Sequence, residues 1–410
     1  MRNKHPYAPT WLVPVLAVSL AAAISTDAAA SILSGRVIGP GAVPAPGVDI
    51  DVDDALTGER IPTVSDTTDA DGTFDIEVPD GIFHVTFNAP KPLRLVSRTL
   101  VNVSVGPSQT DLGDVPLQRG VLVSGRAIRL SNGSAVANAD TDIDDSHSGF
   151  RIPTPDDDTD GSGAFSIVAP IGTIDLTIEP SKADRLVALR LVGLDVGGDV
   201  NLGNLGLGVG FLVSGTAATP GGPLAGVDVE AYDAATGAEI PTPSSTSGAG
   251  GAFSFVVPAG TYDFKASAPI ETATGRSVLA NVTVNGDVST PVNVFSTPVS
   301  IRFDAAGRLA DAGSIYRAFV RVRNNTGAPR SVRAIVTVSD PRSGKGRFAV
   351  APFDTTLPGS FAIQTGRIAL RIPSAVRPAF RGVPIHLLAA LVDPTTSALL
   401  DSDFLAFEIR

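Results

Sequence analysis

The chain has no cysteine among its 410 residues and only four histidines. The first absence excludes disulfides, iron–sulfur clusters, thiolate zinc sites and cysteine nucleophiles. The second leaves His84, His147 and His386 beyond residue 30, too few for a histidine metal centre. Aromatic residues make up 6%, and the single tryptophan, Trp11, lies in the first 30 residues. Cations are short as well: 31 Lys and Arg stand against 42 Asp and Glu, net −11, which argues against nucleic acid as a partner. No apolar run beyond residue 30 reaches the ~20 residues a membrane-spanning helix needs. Glycine (42) and proline (32) are abundant, and 43% of residues are hydrophobic, so turns are frequent and packed cores feasible. At roughly 100–150 residues per domain, the length implies several domains.

The N-terminus has its own order. Arg2, Lys4 and His5 form a positive start, Trp11 to Ile24 is uncharged and mostly apolar, and Ala28-Ala29-Ala30 supplies small residues. This predicts a signal peptide over residues 1–30, cut after Ala30, and a protein that is secreted, surface-located or periplasmic; the absence of cysteine and 26 Arg against 5 Lys suggest a bacterial source.

The remainder repeats. Ser34-Gly35, Ser124-Gly125 and Ser214-Gly215 recur, as do Ile61-Pro62-Thr63, Ile152-Pro153-Thr154 and Ile240-Pro241-Thr242. Phe74, Phe165 and Phe253 keep the same step, each followed by Pro79, Pro170 or Pro258 and then Gly81, Gly172 or Gly260. Residues 31–120, 121–210 and 211–298 are therefore three copies of one unit. Phe83, Val85 and Phe87 alternate with polar neighbours, as do Ile174, Leu176 and Ile178, the period-two pattern of half-buried strands. The fold class is all-β, with tandem β-sandwiches. Residues 299–410 lack the repeat but read as strands, giving a different, immunoglobulin-like C-terminal sandwich. Tight junctions such as Arg119-Gly120-Val121 predict a stiff rod of three sandwiches ending in a fourth.

The run Leu33-Ser34-Gly35-Arg36-Val37, then Pro46-Gly47-Val48-Asp49-Ile50, Thr68-Asp69-Ala70-Asp71-Gly72-Thr73-Phe74 and Val78-Pro79-Asp80-Gly81, resembles the carboxypeptidase regulatory-like, transthyretin-like domain family and the B-type repeats of bacterial adhesins. Repeats 2 and 3 match at the same places. The resemblance implies a prealbumin-like sandwich serving as spacer, stability module or adhesive stalk. Some relatives carry an isopeptide bond from a strand lysine; here the opening strands carry Arg36, Ala127 and Ala217 instead.

Chemistry is sparsely supported. There is no Gly-x-Ser-x-Gly elbow, no His-Glu-x-x-His motif and no phosphate-binding loop, so no catalytic residue and no enzyme is expected. Sugar binding, through a carbohydrate-binding-like fold, is the alternative function. Its aromatic candidates are Tyr232, read on a polar strand face, and Phe150, read in a turn. The one cofactor expectation is calcium. Alternating aspartates put Asp49 and Asp140 on strand faces, and the following loops supply Asp66, Asp69 and Asp71 in repeat 1 and Asp156, Asp157, Asp158 and Asp160 in repeat 2. Charge also divides: residues 31–298 hold 33 acids and 14 bases, whereas residues 299–410 hold 8 acids and 15 bases. The expected function is a secreted structural spacer or adhesion module. Its partner would be a cell-surface or extracellular polymer or protein, which the basic end could dock if the polymer is anionic.

Overall fold

The computed structural model describes residues 31–410 except 56–57, 344, 360 and 377–379; the signal peptide expected over 1–30 lies outside the described residues. The fold is all-β, with short 3-10 turns as the helical elements among those residues. No helix is long and apolar enough to cross a membrane.

Each repeat stacks two sheets. In repeat 1, Ser31–Ile38 lies between antiparallel Thr73–Val78 and parallel Thr110–Pro116, and Gly81–Asn88 lies between Asp49–Asp54 and Arg98–Val105. Repeat 2 repeats this with Val121–Arg129 and Gly172–Glu179 as the central strands, and repeat 3 with Phe211–Thr219 and Gly260–Ser267. The alternating residues Phe83, Val85 and Phe87 point into one core with Leu33, Ile50 and Ile76; separate cores form around Ile143, Leu176 and Phe165, and around Phe255, Tyr262 and Phe264. Burying alternate apolar side chains contributes roughly 1.5–3 kcal/mol apiece and fixes which face of each strand turns inward.

Two local devices recur in register. A buried hydroxyl (Thr68, Thr159 or Ser247) accepts the amide of Val48, Ala139 or Val227 and donates to the carbonyl of Ala45, Val136 or Leu224. A bulge in the outer strand sets Asn102, Gly193 or Asn281 at positive φ, and a side chain opposite accepts its amide: His84, Asp175 or Asp263. The outward-facing His84 thus helps to hold a bulge.

The junctions between repeats share a pattern. A 3-10 turn ends in Arg94 or Arg185 in the left-handed conformation, and that guanidinium pairs with Asp199 or Asp287 of the next repeat at 2.6 and 2.8 Å. The same aspartates accept the amides of Leu122 and Leu212 at 2.9 Å, and Lys91 and Lys182 reach the carbonyls of Asp156 and Ser244. Between these polar ties, Val168 and Val256 are buried at the seams. Repeat 3 carries Ile270 and Ala273 where the earlier turns have Lys and Arg, because a different domain follows it.

That domain packs a three-stranded sheet, Val299–Ala306, Ile315–Asn324 and Ile363–Arg371, against a five-stranded one of Leu309–Ala310, Leu399–Ile409, Ile385–Val392, Arg330–Asp340 and Lys345–Leu357. Its core includes Tyr316, whose ring stacks on Phe407 at 4.3 Å. It does not extend the line of the repeats. It turns back and lies along repeats 2 and 3, which corrects the expectation of a rod ending in a fourth sandwich. The reason is charge and shape complementarity between the acidic repeats and the basic domain.

Candidate functional site

The fold-back contact is built from residue types that need partners when buried. The hairpin tip of repeat 2 meets the terminal domain first. Leu309 donates its amide to the Ser146 carbonyl at 3.0 Å, and His147 Nε2 lies 2.9 Å from Asp311. Gly149 and Gly307 let the two backbones touch: a Cβ on either would fall 2.2 Å from the other chain segment. Arg308 reaches Asp144 at 3.3 Å and Glu239 at 3.6 Å, so one guanidinium ties repeats 2 and 3 to the terminal domain. Arg410 closes the far edge, with Asp195 at 3.0 Å and Asp311 at 2.7 Å.

Repeat 3 contributes a lysine. Lys265, only 4% exposed, pairs with Glu230 at 2.6 Å and Asp403 at 3.3 Å and donates to the Phe404 carbonyl at 2.8 Å. Burial works against its charge, but Asp403 and Glu230 outweigh that and hold its pKa well above the usual lysine value. Burial, then Asp228 and Glu239, push Glu230 up to about 7 against the pull of Lys265. Glu239 goes the other way: burial opposes its ionisation, yet Arg190 and Arg308 hold it at about 2. Tyr232 is 2% exposed, packed on Phe404 at 4.8 Å and His386 at 5.8 Å. It therefore offers no sugar platform, because the terminal domain covers the polar strand face on which it sits. His386 Nε2 lies 2.7 Å from the Gly237 carbonyl, an inter-domain tie. Beside this seam is a polar cavity of ≈ 360 Å³, lined by Asp228, Glu230, Glu239, Lys265, Arg302 and Arg308.

The acids expected to hold calcium divide into two groups. In repeat 2, Asp140, Asp142 and Glu179 place carboxylate oxygens within 4.8 Å of one another. Hairpin register causes this: Asp140 is directly opposite Glu179. Burial, then Asp142, Asp157, Glu179 and Asp158, raise Asp140 to about 6. Asp157 is also raised by burial and accepts from Thr154 at 2.5 Å. In repeat 1, burial and then Asp51 and Asp66 raise Asp49, but Asn88 stands where repeat 2 has Glu179 and donates to Asp51 at 2.7 Å. The other acids serve their own turns. Asp71 accepts from Thr73 and Asp160 from Ser162, which lowers both pKa values. Asp156 adopts a positive φ, where its carbonyl meets Lys91, and Asp69 closes its turn through backbone bonds to Thr73 and Gly72.

As a cation site, the repeat 2 cluster offers three clustered carboxylates toward the six to eight oxygens calcium takes. A resident cation competes there: Arg151 binds Asp142 and Asp144, as Arg60 binds Asp51 and Asp53 in repeat 1. Glu179 was missed from the sequence because its membership depends on strand register. In repeat 3 the cluster is rebuilt: Glu239 lies beside Tyr232 on the returning strand, and Lys265 supplies the cation.

No family model matches the chain, and no curated protein matches it. Among solved structures it is similar to the Bacillus anthracis TIE protein, at 16% identity over 65% of this chain and 51% of that one, with a TM-score of 0.20. It is also similar to a DUF3823 family protein from Bacteroides ovatus, at 13% identity over 49% of this chain and 100% of that one, with a TM-score of 0.20. The major pilin subunit BcpA of Bacillus cereus aligns at 11% identity over 65% of this chain and 100% of that one, with a TM-score of 0.18. The chain thus spans about half the length of the first of these. TM-scores of this size establish no common arrangement of the whole chain.

Proposed function

We propose that the protein is a secreted, non-enzymatic structural module of a bacterial surface, in which three carboxypeptidase regulatory-like repeats form a stiff base for a terminal sandwich clamped along repeats 2 and 3. The observation that carries this reading is the repeated junction. Arg94–Asp199 and Arg185–Asp287 join successive repeats by the same ion pair, with the aspartate also tied to backbone, and no linker intervenes. Such joints suit a part that transmits position or load and not one that hinges around a substrate. The histidines support the same reading, since His84 holds a bulge while His147 and His386 tie domains together.

Limited proteolysis of the secreted protein tests it. The mature chain should begin at Ser31, have the mass of residues 31–410 without loss of ammonia or water, and resist cutting at 118–122 and 208–212. Early cleavage at those junctions would mean independent domains on flexible joints. Cytoplasmic retention with residues 1–30 intact would remove the surface assignment.

A further inference from the structure

Several arginines of the terminal domain are paired with acids, within the domain or across the fold-back contact. Arg302 pairs with Asp401, Arg308 with Asp144 and Glu239, Arg321 with Asp304, Arg330 with Asp393, Arg333 with Asp354 and Arg410 with Asp195. Arg317, Arg367 and Arg371 have no acidic partner among the described residues, and all three are exposed. They share the outer face of the three-stranded sheet: Arg317 is opposite Ala369, between Arg367 and Arg371 on the edge strand. Like charges this close on one sheet face cost free energy unless an anion relieves them. The same face is not purely ionic. Phe319 lies directly opposite Arg367, and its ring meets the ring of Phe150 from the repeat 2 hairpin at 6.1 Å. Phe150 is 55% exposed, and Ile315, opposite Arg371, is 49% exposed. Repeats 1 and 3 have Glu59 and Ala238 where repeat 2 has Phe150, so the ring appears only in the repeat whose hairpin reaches this sheet.

We propose that this face binds an acidic polysaccharide bearing carboxylates on its sugar rings. Guanidinium forks match carboxylates two bonds at a time, and exposed aromatic rings pack on the apolar faces of sugars. Charge complementarity selects an anionic chain, and the aromatic pair selects one made of rings. The proposal depends on the surface-module reading only for where such a polymer is met; binding by purified protein can fail while that reading stands.

The test is affinity electrophoresis of the full chain in gels containing polygalacturonate, dextran or polyglutamate. Retardation is expected with polygalacturonate and not with dextran, and should fade as salt rises from about 0.1 M to about 1 M. Arg317→Gln/Arg367→Gln/Arg371→Gln should weaken binding roughly tenfold or more, and Phe150→Ala severalfold, while Arg347→Gln leaves it unchanged. Circular dichroism of each variant confirms folding. No retardation by polygalacturonate, or wild-type binding by the triple variant, would overturn the proposal. Equal retardation by polyglutamate would also overturn it, reducing the face to bare charge. Self-association of the wild type that the triple variant lacks would instead assign the face to the acidic repeats of a second copy.

Discussion

At the residue scale, position within a hairpin decides what an aspartate does. Asp71 and Asp160 cap their own turns and ionise more readily than usual, whereas Asp140, half-buried opposite Glu179, is held near 6. The folded value lies above the ordinary one of 3.8, so the stability Asp140 contributes is full below about pH 4 and lost as pH rises through 6. Asp140→Asn should therefore stabilise repeat 2 above pH 7, by on the order of 1 kcal/mol after allowance for solvent screening, and should do little below pH 4. Chemical denaturation at both pH values checks this. Millimolar calcium should raise the wild-type midpoint more than the variant's, since only the wild type has that repulsion to relieve. Equal response in both would separate the cluster from calcium altogether. Asp140 and Asp142 stood out because they alternate along a strand, and Asp71 and Asp160 because they lie in acidic loops. Their separate roles were not legible, since turn geometry and the partner strand's register decide between a cap and a crowded carboxylate.

At the scale of elements, the junction pairs are unequal. Arg94 and Asp199 are both substantially exposed, so solvent screening leaves the ion pair alone little to contribute. Asp199 also accepts the Leu122 amide at 2.9 Å, a bond that fixes the first strand of repeat 2. Asp199→Ala should then lower the unfolding midpoint more than Arg94→Ala does, and the same order should hold for Asp287 against Arg185. Thermal unfolding of the four single variants measures it, and equal losses would mean that the aspartates act only through charge. Strands were readable because Phe83, Val85 and Phe87, and their counterparts, alternate without interruption. The junction code was not, because Arg94 and Asp199 are 105 residues apart.

At the scale of the whole molecule, the division of charge between acidic repeats and basic end was plain in composition, but its use was hidden. Tyr232 reads as exposed because Asp228 and Glu230 on the same strand face are acidic; the partner that buries it, Phe404, lies in another domain. Part of the basic excess closes the fold-back contact through Arg308 and Arg410, while the Arg317, Arg367 and Arg371 face stays exposed. Gly307 is, with Gly149, among the tightest points of that contact: a Cβ there would fall 2.2 Å from the His147 carbonyl. Overpacking of this kind costs typically 1–3 kcal/mol, and Gly307→Ala should direct it at the contact and spare the cores of the repeats. Small-angle X-ray scattering of wild type and Gly307→Ala distinguishes a folded-back terminal domain from an extended one. The fold-back contact requires a wild-type maximum dimension of three sandwiches in line, with the fourth alongside, and a longer particle for the variant. A wild-type particle already four sandwiches long, unchanged by Gly307→Ala, would contradict it.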